Sequence, residues 1–420
     1  MSDIRRLSQH VRPSAISTIY FAALFMLIIL ANTLFSDRNN NNNDLSVVLD
    51  GSPEEEAAEP GSSRKGPALP SAEGLRMNPP ANASQAERIA WFNTQLPHFD
   101  ILKSTHYSKE FDSKVKSFFV RGGGCKVQVF MTWISPAASY GRREFLGLES
   151  LFNTNPQACL VIVSRTMDSA RGYRILKPLI DRGFKVCALS PDLDSLFKDT
   201  PAEAWFRGMK TGQKDPGGIP LPQNLSNLIR LAVLYKYGGI YLDTDFIILR
   251  DMSSLRNSIG AQSVDKQGKW TRLNNAVLIF DKGHPILEAF MDEFARTFDG
   301  NKWGHNGPYL VSRVIEAKED NGGVSILPPM AFYPVDWTRI RGYFERPQSR
   351  MSSKWVEAKL RQLSGAATYG VHLWNKQSRM VLIEEGGVMG RLIYDHCIIC
   401  QGVYTLHTTP SSNATAFSSI

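Results

Sequence analysis

From Val127 onward, apolar residues come in two alternating patterns, short unbroken runs and helically spaced positions. Val127–Trp133 predicts a strand that stops at Ser135-Pro136, and Arg143–Asn153 predicts a helix. Cys159–Ser164 reads as a buried strand, Gly172–Gly183 as a helix in spite of Pro178, and Phe184–Leu189 as a third strand. Strand–helix alternation of this kind predicts an α/β fold, a mainly parallel sheet with helices on both faces. In such sheets ligands bind outside the carboxyl ends of the strands.

The N-terminal pattern is different. No charged residue lies between Ser14 and Ser36, and Ile16–Phe35 is mostly apolar. Roughly 20 such residues in a helix span a bilayer core. Arg5, Arg6 and Arg12 precede the stretch, whereas Asp44, Asp50 and Glu54–Glu56 follow it, with Arg38 a lone close exception. The positive-inside bias therefore predicts a signal anchor over 14–36, a cytosolic tail over 1–13, and everything beyond on the far side of the membrane. A cleaved signal peptide is the competing reading, but the run is long for one and no clean small-x-small site follows. Residues 37–105, with the Asn39–Asn43 run, an acidic patch and abundant Pro, Ser, Gly and Ala, read as a disordered stem.

The segment 224–250 carries the chemistry. Leu225, Leu228, Ile229, Ala232 and Tyr235 share one face of a predicted helix, which Gly238-Gly239 ends. A short apolar strand, Ile240–Leu242, leads into Asp243-Thr244-Asp245, and another apolar run follows. Two carboxylates between apolar runs repel each other and lose hydration. A hard divalent cation, Mn²⁺ or Mg²⁺, relieves both costs and neutralises a diphosphate. On extended backbone, residues i and i+2 project to one face, which predicts that Asp243 and Asp245 point together and Thr244 away.

Composition changes this picture little. Lys and Arg total 48 against 40 Asp and Glu, a formal charge of +8, without a dominant basic block. That is consistent with a solvated basic face, and there is no nucleic-acid signature. Sequons occur at Asn82, Asn224 and Asn413; Asn82 and Asn413 lie in polar segments, whereas Asn224 opens the helix beside the Asp pair. The odd cysteine count leaves at least one thiol unpaired within a monomer, compatible with a homodimer through it or through the stem. Cys397 and Cys400 predict a local disulfide, and Cys159 and Cys187 read as buried thiols on core strands.

The string GGIYLDTDF resembles the DXD sugar-binding region of glycosyltransferase family 32. The likeness continues through Leu273–Ala276, Trp303–Pro308, Leu327–Pro329, Phe332–Pro334 and Tyr369–Lys376, a series similar to the α-1,4-glycosyltransferase conserved region in the plant-like branch of the family. It covers roughly 120–400. The resemblance implies a Rossmann-like GT-A fold, with a donor-binding part over 106–290, a C-terminal part over 291–405 and a tail over 406–420. It further implies a UDP-sugar donor, Mn²⁺, retention of configuration, Golgi residence as a single-pass type II protein, and a glycan, glycolipid or glycoprotein acceptor.

Residue by residue, it assigns Asp243 and Asp245 to the metal and the chemistry, and His372 to the metal. Arg230, Asn227, Tyr241, Asn274 and Trp374 fall to the donor. The plainer alternatives are a surface position for Arg230, core packing for Tyr241 and mere packing for His372. His305 and Asn306 either act on a bound sugar or build a turn. Asn227 stands where related enzymes often carry Asp, which leaves the identity of the sugar open. Two other readings survive the sequence: an inactive carbohydrate- or nucleotide-binding membrane protein on the same fold, and a metal-dependent phosphohydrolase.

Overall fold

The computed structural model describes residues 78–120 and 124–404. The expected tail, the anchor and the stem up to residue 77, together with Asn413 and the C-terminal tail, lie outside them. Among the described residues no helix is long and apolar enough to cross a membrane.

A seven-stranded mixed sheet runs in the order β3-β2-β1-β4-β7-β6-β8. Its strands are β1 (Val127–Thr132), β2 (Ala158–Val163), β3 (Lys185–Leu189), β4 (Gly239–Leu242), β6 (Ser258–Val264), β7 (Trp270–Phe280) and β8 (Ser325–Leu327). The first four are parallel, β7 is antiparallel to β4, and β8 runs parallel to β6. A separate two-stranded sheet pairs β5 (Phe246–Ile248) with β9 (Gly370–His372). The three strands and two helices expected between 127 and 189 are all present, with bounds that agree within three residues.

The parallel strands read as unbroken apolar runs because both faces are covered. Phe130, Val161 and Tyr241 face the core built with the helix Leu221–Tyr237, while Val129, Leu160, Ile162 and Ile240 face the core under the helix Arg142–Thr154. A third cluster, with Ile247, Val371, Leu360 and Met389, lies under the C-terminal helices. The expected division at 290 is not a break in the sheet: β8 extends the edge that β6 begins, and β9 joins β5.

Two expectations need correction. Residues 85–102 are not stem. Gln85–Gln95 is a helix with a full capping box from Ser84 and Glu87, and Phe92, Phe99, Ile101 and Leu102 are buried in the core. Burying these side chains favours order by about 1.5–3 kcal/mol each, enough to overcome a polar local composition. Cys159, expected to be a buried thiol, is joined to Cys125 in a disulfide. Cys397–Cys400 forms the expected local bridge, and Cys187 stays a free, half-buried thiol. Burial, with Asp168 nearby, pushes that thiol up to about 12, so it is a poor nucleophile for bridging to a second copy. Asn82 is exposed, whereas Asn224 is buried.

Candidate active site

The helix Leu221–Tyr237 and strand β4 carry the centre. The sequence pattern assigns one apolar face to this helix, but Leu231, Val233 and Leu234 are also fully buried, so it is a central helix rather than a surface one. It ends at Gly238, and Gly239 starts β4 at φ 106°; a Cβ there would sit 2.5 Å from the Gln128 carbonyl oxygen. Only glycine permits that backbone conformation and that approach to β1.

Asp243, Thr244 and Asp245 do not form extended backbone. They make the turn between β4 and β5, where the chain leaves one sheet for the other. The two carboxylates converge because of this turn and not through strand alternation. The Asp243 amide still donates to Ala276 O at 2.8 Å, which fastens the start of the turn to β7. On the far side, Leu373 N donates to Asp245 O at 2.8 Å, and β9 sets His372 opposite Phe246.

Each carboxylate has one oxygen fastened and the other turned to His372. Asp243 Oδ1 accepts from Tyr241 Oη at 3.1 Å and pairs with Arg230 Nη2 at 3.1 Å. Its Oδ2 lies 4.0 Å from His372 Nε2. Asp245 Oδ2 accepts from the Asn375 amide at 2.8 Å, and its Oδ1 lies 3.4 Å from His372 Nε2. One ligand atom from each of Asp243, Asp245 and His372 lies within 4.8 Å of the others. Two carboxylates and an imidazole suit a divalent cation such as Mn²⁺.

The electrostatics agree with this arrangement. Burial pushes the Asp243 carboxyl up, but Arg230 and then His372 outweigh it and hold the group below the usual carboxylate range. Burial pulls the His372 imidazole down, while Asp245 and Asp243 draw it above its ordinary value. Trp374 N–H donates to His372 Nδ1 at 3.0 Å, which turns Nε2 toward the carboxylates. Ligation at Nε2 would move the imidazole proton to Nδ1 and release that amide contact. Asn375 Oδ1, beside Asp245, is buried with no hydrogen-bond partner among the described residues.

Arg230 is not a surface residue. It is 5% exposed, donates to Asn275 O at 2.7 Å and stacks on Tyr241, with its guanidinium carbon 4.5 Å from the ring centroid. It therefore supports Asp243 from behind. Tyr241 is fully buried, and its hydroxyl serves Asp243. Asn227, half-buried, accepts from Asn275 Nδ2 at 2.9 Å. Asn274 is buried and committed to Gln262 and to Ala276 N. The Trp374 ring lies against His372 and Tyr333, and its indole N–H donates to Val335 O at 2.8 Å.

His305 and Asn306 stand apart from the Asp pair in role. His305 Nε2 lies 2.8 Å from Thr297 O. Asn306 is 2% exposed and ties Asn224 to Asp299. Their contacts are those of a loop fastener, which is the turn-building alternative. The sequence reading passed over Arg143, Glu144 and Asn375. Arg143 lies close enough to Asp245 to feel its charge and donates to Ser378, and Glu144 reaches Asn375. Only Asn375 carried a sequence signal, its place in the Trp374-Asn375-Lys376 string.

A carboxylate pair with the donor set for a divalent cation, at the carboxyl end of a strand in a parallel-rich sheet, is an arrangement suited to phosphorylated ligands. Comparison with known proteins narrows the class. Residues 141–265 match the glycosyltransferase sugar-binding region containing the DXD motif, and 279–404 match the alpha 1,4-glycosyltransferase conserved region. The chain is 33% identical over 308 residues to an uncharacterized Arabidopsis thaliana protein, covering 70% of this chain and 45% of that one. It is 38% identical over 249 residues to lactosylceramide 4-alpha-galactosyltransferase of Mus musculus, 56% of this chain and 64% of that protein, and the gorilla counterpart is covered over 69% of its length. Human alpha-1,4-N-acetylglucosaminyltransferase is 27% identical over 220 residues, 49% of this chain and 58% of that one. The chain thus spans about half to two thirds of the first relatives it matches. It belongs to the DXD-containing α-1,4-glycosyltransferase family.

Proposed function

We propose that this chain is a retaining hexosyltransferase of GT-A type. It moves a hexose or N-acetylhexosamine, galactose first, from a UDP-α-sugar to a hydroxyl of a glycolipid, glycan or glycoprotein. The observation that carries the reading is the convergence of Asp243 Oδ2, Asp245 Oδ1 and His372 Nε2 at the end of β4. A cation bound there, Mn²⁺ or Mg²⁺, would neutralise the diphosphate and stabilise it as the leaving group. The protein's own residues do the positioning. Arg230 and Tyr241 fix one oxygen of Asp243, Asn375 fixes one of Asp245, and Trp374 orients the imidazole. Such fixed dipoles cost no reorganisation during reaction.

No base stands assigned on the opposite side of the donor, so the acceptor hydroxyl would attack the anomeric carbon on the face from which UDP departs, the sugar–phosphate bond breaking and the departing phosphate oxygen taking the hydroxyl proton. The first product is then α-linked. Soluble protein assayed with a UDP-sugar panel and Mn²⁺ tests this: slow donor hydrolysis without acceptor should first release the α-anomer, read by proton NMR of the anomeric signal before mutarotation. A β-configured first product refutes the mechanism. No turnover of any UDP-sugar favours the inactive binding protein instead.

An anchor over 14–36 would put this chemistry on the luminal side of a membrane, on the strength of Arg5, Arg6 and Arg12 before an uncharged apolar run, and the family resemblance supports the Golgi as that compartment. Tagging both termini in microsomes and adding protease should digest the N-terminal tag and spare the C-terminal one. The opposite pattern sinks the topology.

A further inference from the structure

We propose that Trp303 is the platform on which the acceptor sugar stacks, an assignment that rests on the glycosyl-transfer reading of the same site. Trp303 is 52% exposed in the loop that precedes the helix Pro308–Glu316. Exposure alone does not single it out, since Trp337 and Trp355 are exposed as well; its place beside the Asp pair does. Its position relative to the centre is set by Lys376. The Asn375 amide is bonded to Asp245 Oδ2, and the next residue, Lys376, lays its ammonium 3.4 Å from the Trp303 ring centroid. The indole is therefore within one lysine side chain of the residue that holds Asp245. Lys376 occupies one face, and the exposed half of the side chain leaves apolar ring surface for a ligand.

The loop is built to hold that ring still. His305 is tied to Thr297, and Asn306 to Asn224 and Asp299. Gly304 adopts φ 74°, where a Cβ would meet the Tyr309 ring at 2.9 Å. At Gly307 a Cβ would lie 2.9 Å from Asn227 Oδ1 and 3.2 Å from Asn275. The loop thus packs on the same Asn275 whose carbonyl holds Arg230. One end touches the support of Asp243, and the other reaches the short helix Asn375–Ser378, whose first amide holds Asp245. This is a wall beside the centre, presenting a half-exposed indole with preset orientation.

An indole face recognises a pyranose by the sugar's C–H face. A β-galactoside suits it, because C3, C4 and C5 present their hydrogens on one side. The assignment is for acceptor rather than donor, since the donor's diphosphate would lie at the Asp pair, whereas Trp303 is linked to Asp245 only by way of Asn375 and Lys376.

The test uses the folded chain with Mn²⁺, UDP-galactose or UDP-N-acetylglucosamine, and methyl β-lactoside as acceptor. Trp303→Ala should raise the acceptor KM about tenfold, with kcat at saturating acceptor within about twofold of wild type. Trp303→Phe should restore most of the acceptor affinity. An acceptor KM unchanged in Trp303→Ala overturns the assignment, as does a loss of kcat and thermal midpoint that Phe does not rescue, which would mark a structural residue. Wild-type protein that hydrolyses donor but never uses the lactoside overturns the β-galactoside class. If no sugar of the UDP-sugar panel is turned over at all, the transferase reading itself fails, a result distinct from the other three.

Discussion

Asp243→Asn should give a folded protein that transfers sugar at least about a hundredfold more slowly. The substitution keeps the size of the side chain and an oxygen to accept from Tyr241 and Arg230. It removes the negative charge that would face a cation and replaces one oxygen with an amide nitrogen. Asp243→Ala is a poorer probe. Arg230 is 5% exposed, and its guanidinium has Asp243 as its only acidic partner among the described residues. Stranding a buried cation costs about 3–5 kcal/mol at full burial, and less here because the Asp243 side chain is 27% exposed. The alanine variant should therefore lose stability as well as activity, and simple relief of carboxylate repulsion does not describe it. Turnover at saturating Mn²⁺ and thermal midpoint, measured on both variants, separate the two effects. Near-normal turnover in Asp243→Asn would remove the carboxylate pair from the chemistry.

The sequence pattern shows the strands of the sheet because parallel strands covered on both faces are continuously apolar. The Asp pair stands out for the same reason, as two charges between such runs. The geometry of the pair was beyond reach. Whether Asp243–Asp245 is strand or turn depends on β5 leaving the main sheet to pair with β9, and that pairing spans more than a hundred residues. His372 is brought in by the same contact, so local spacing carries no trace of it and only the motif series pointed there. Arg143 and Glu144 read as ordinary helix-surface residues, because their partners, Ser378 and Asn375, lie over 200 residues away. The misread stem shows the opposite case, a local signal overlooked. Ser84 and Glu87 form a capping box, and Trp91, Phe92, Phe99, Ile101 and Leu102 follow it. A capping box ahead of clustered apolar residues is enough to place a helix start at Gln85.

The second large effect lies away from the chemistry, at Glu149. This carboxylate sits on the helix Arg142–Thr154 and is fully buried. Its Oε2 accepts from three successive backbone amides, Ile398, Ile399 and Cys400, at 2.9, 2.9 and 3.0 Å. Its Oε1 lies 2.9 Å from Arg142 Nη2. The Cys397–Cys400 bridge closes this short loop, and Cys400 takes a left-handed φ of 57°, so the amides gather round one anion. Glu149→Ala leaves those three amides without their acceptor and Arg142 without its charge partner, and the expected loss is about 3–5 kcal/mol. Glu149→Gln keeps one oxygen for the amides but turns an N–H₂ group toward Arg142, so its loss should be smaller, about 1–3 kcal/mol. Because the same helix carries Arg143 and Glu144 to the Asp245–Asn375 side of the centre, activity should fall only as the fold is lost, in step with stability. Urea unfolding with the disulfides intact measures the effect as a lower midpoint at unchanged slope. A midpoint in Glu149→Ala equal to wild type would mean that the 397–400 loop is held by its apolar packing alone.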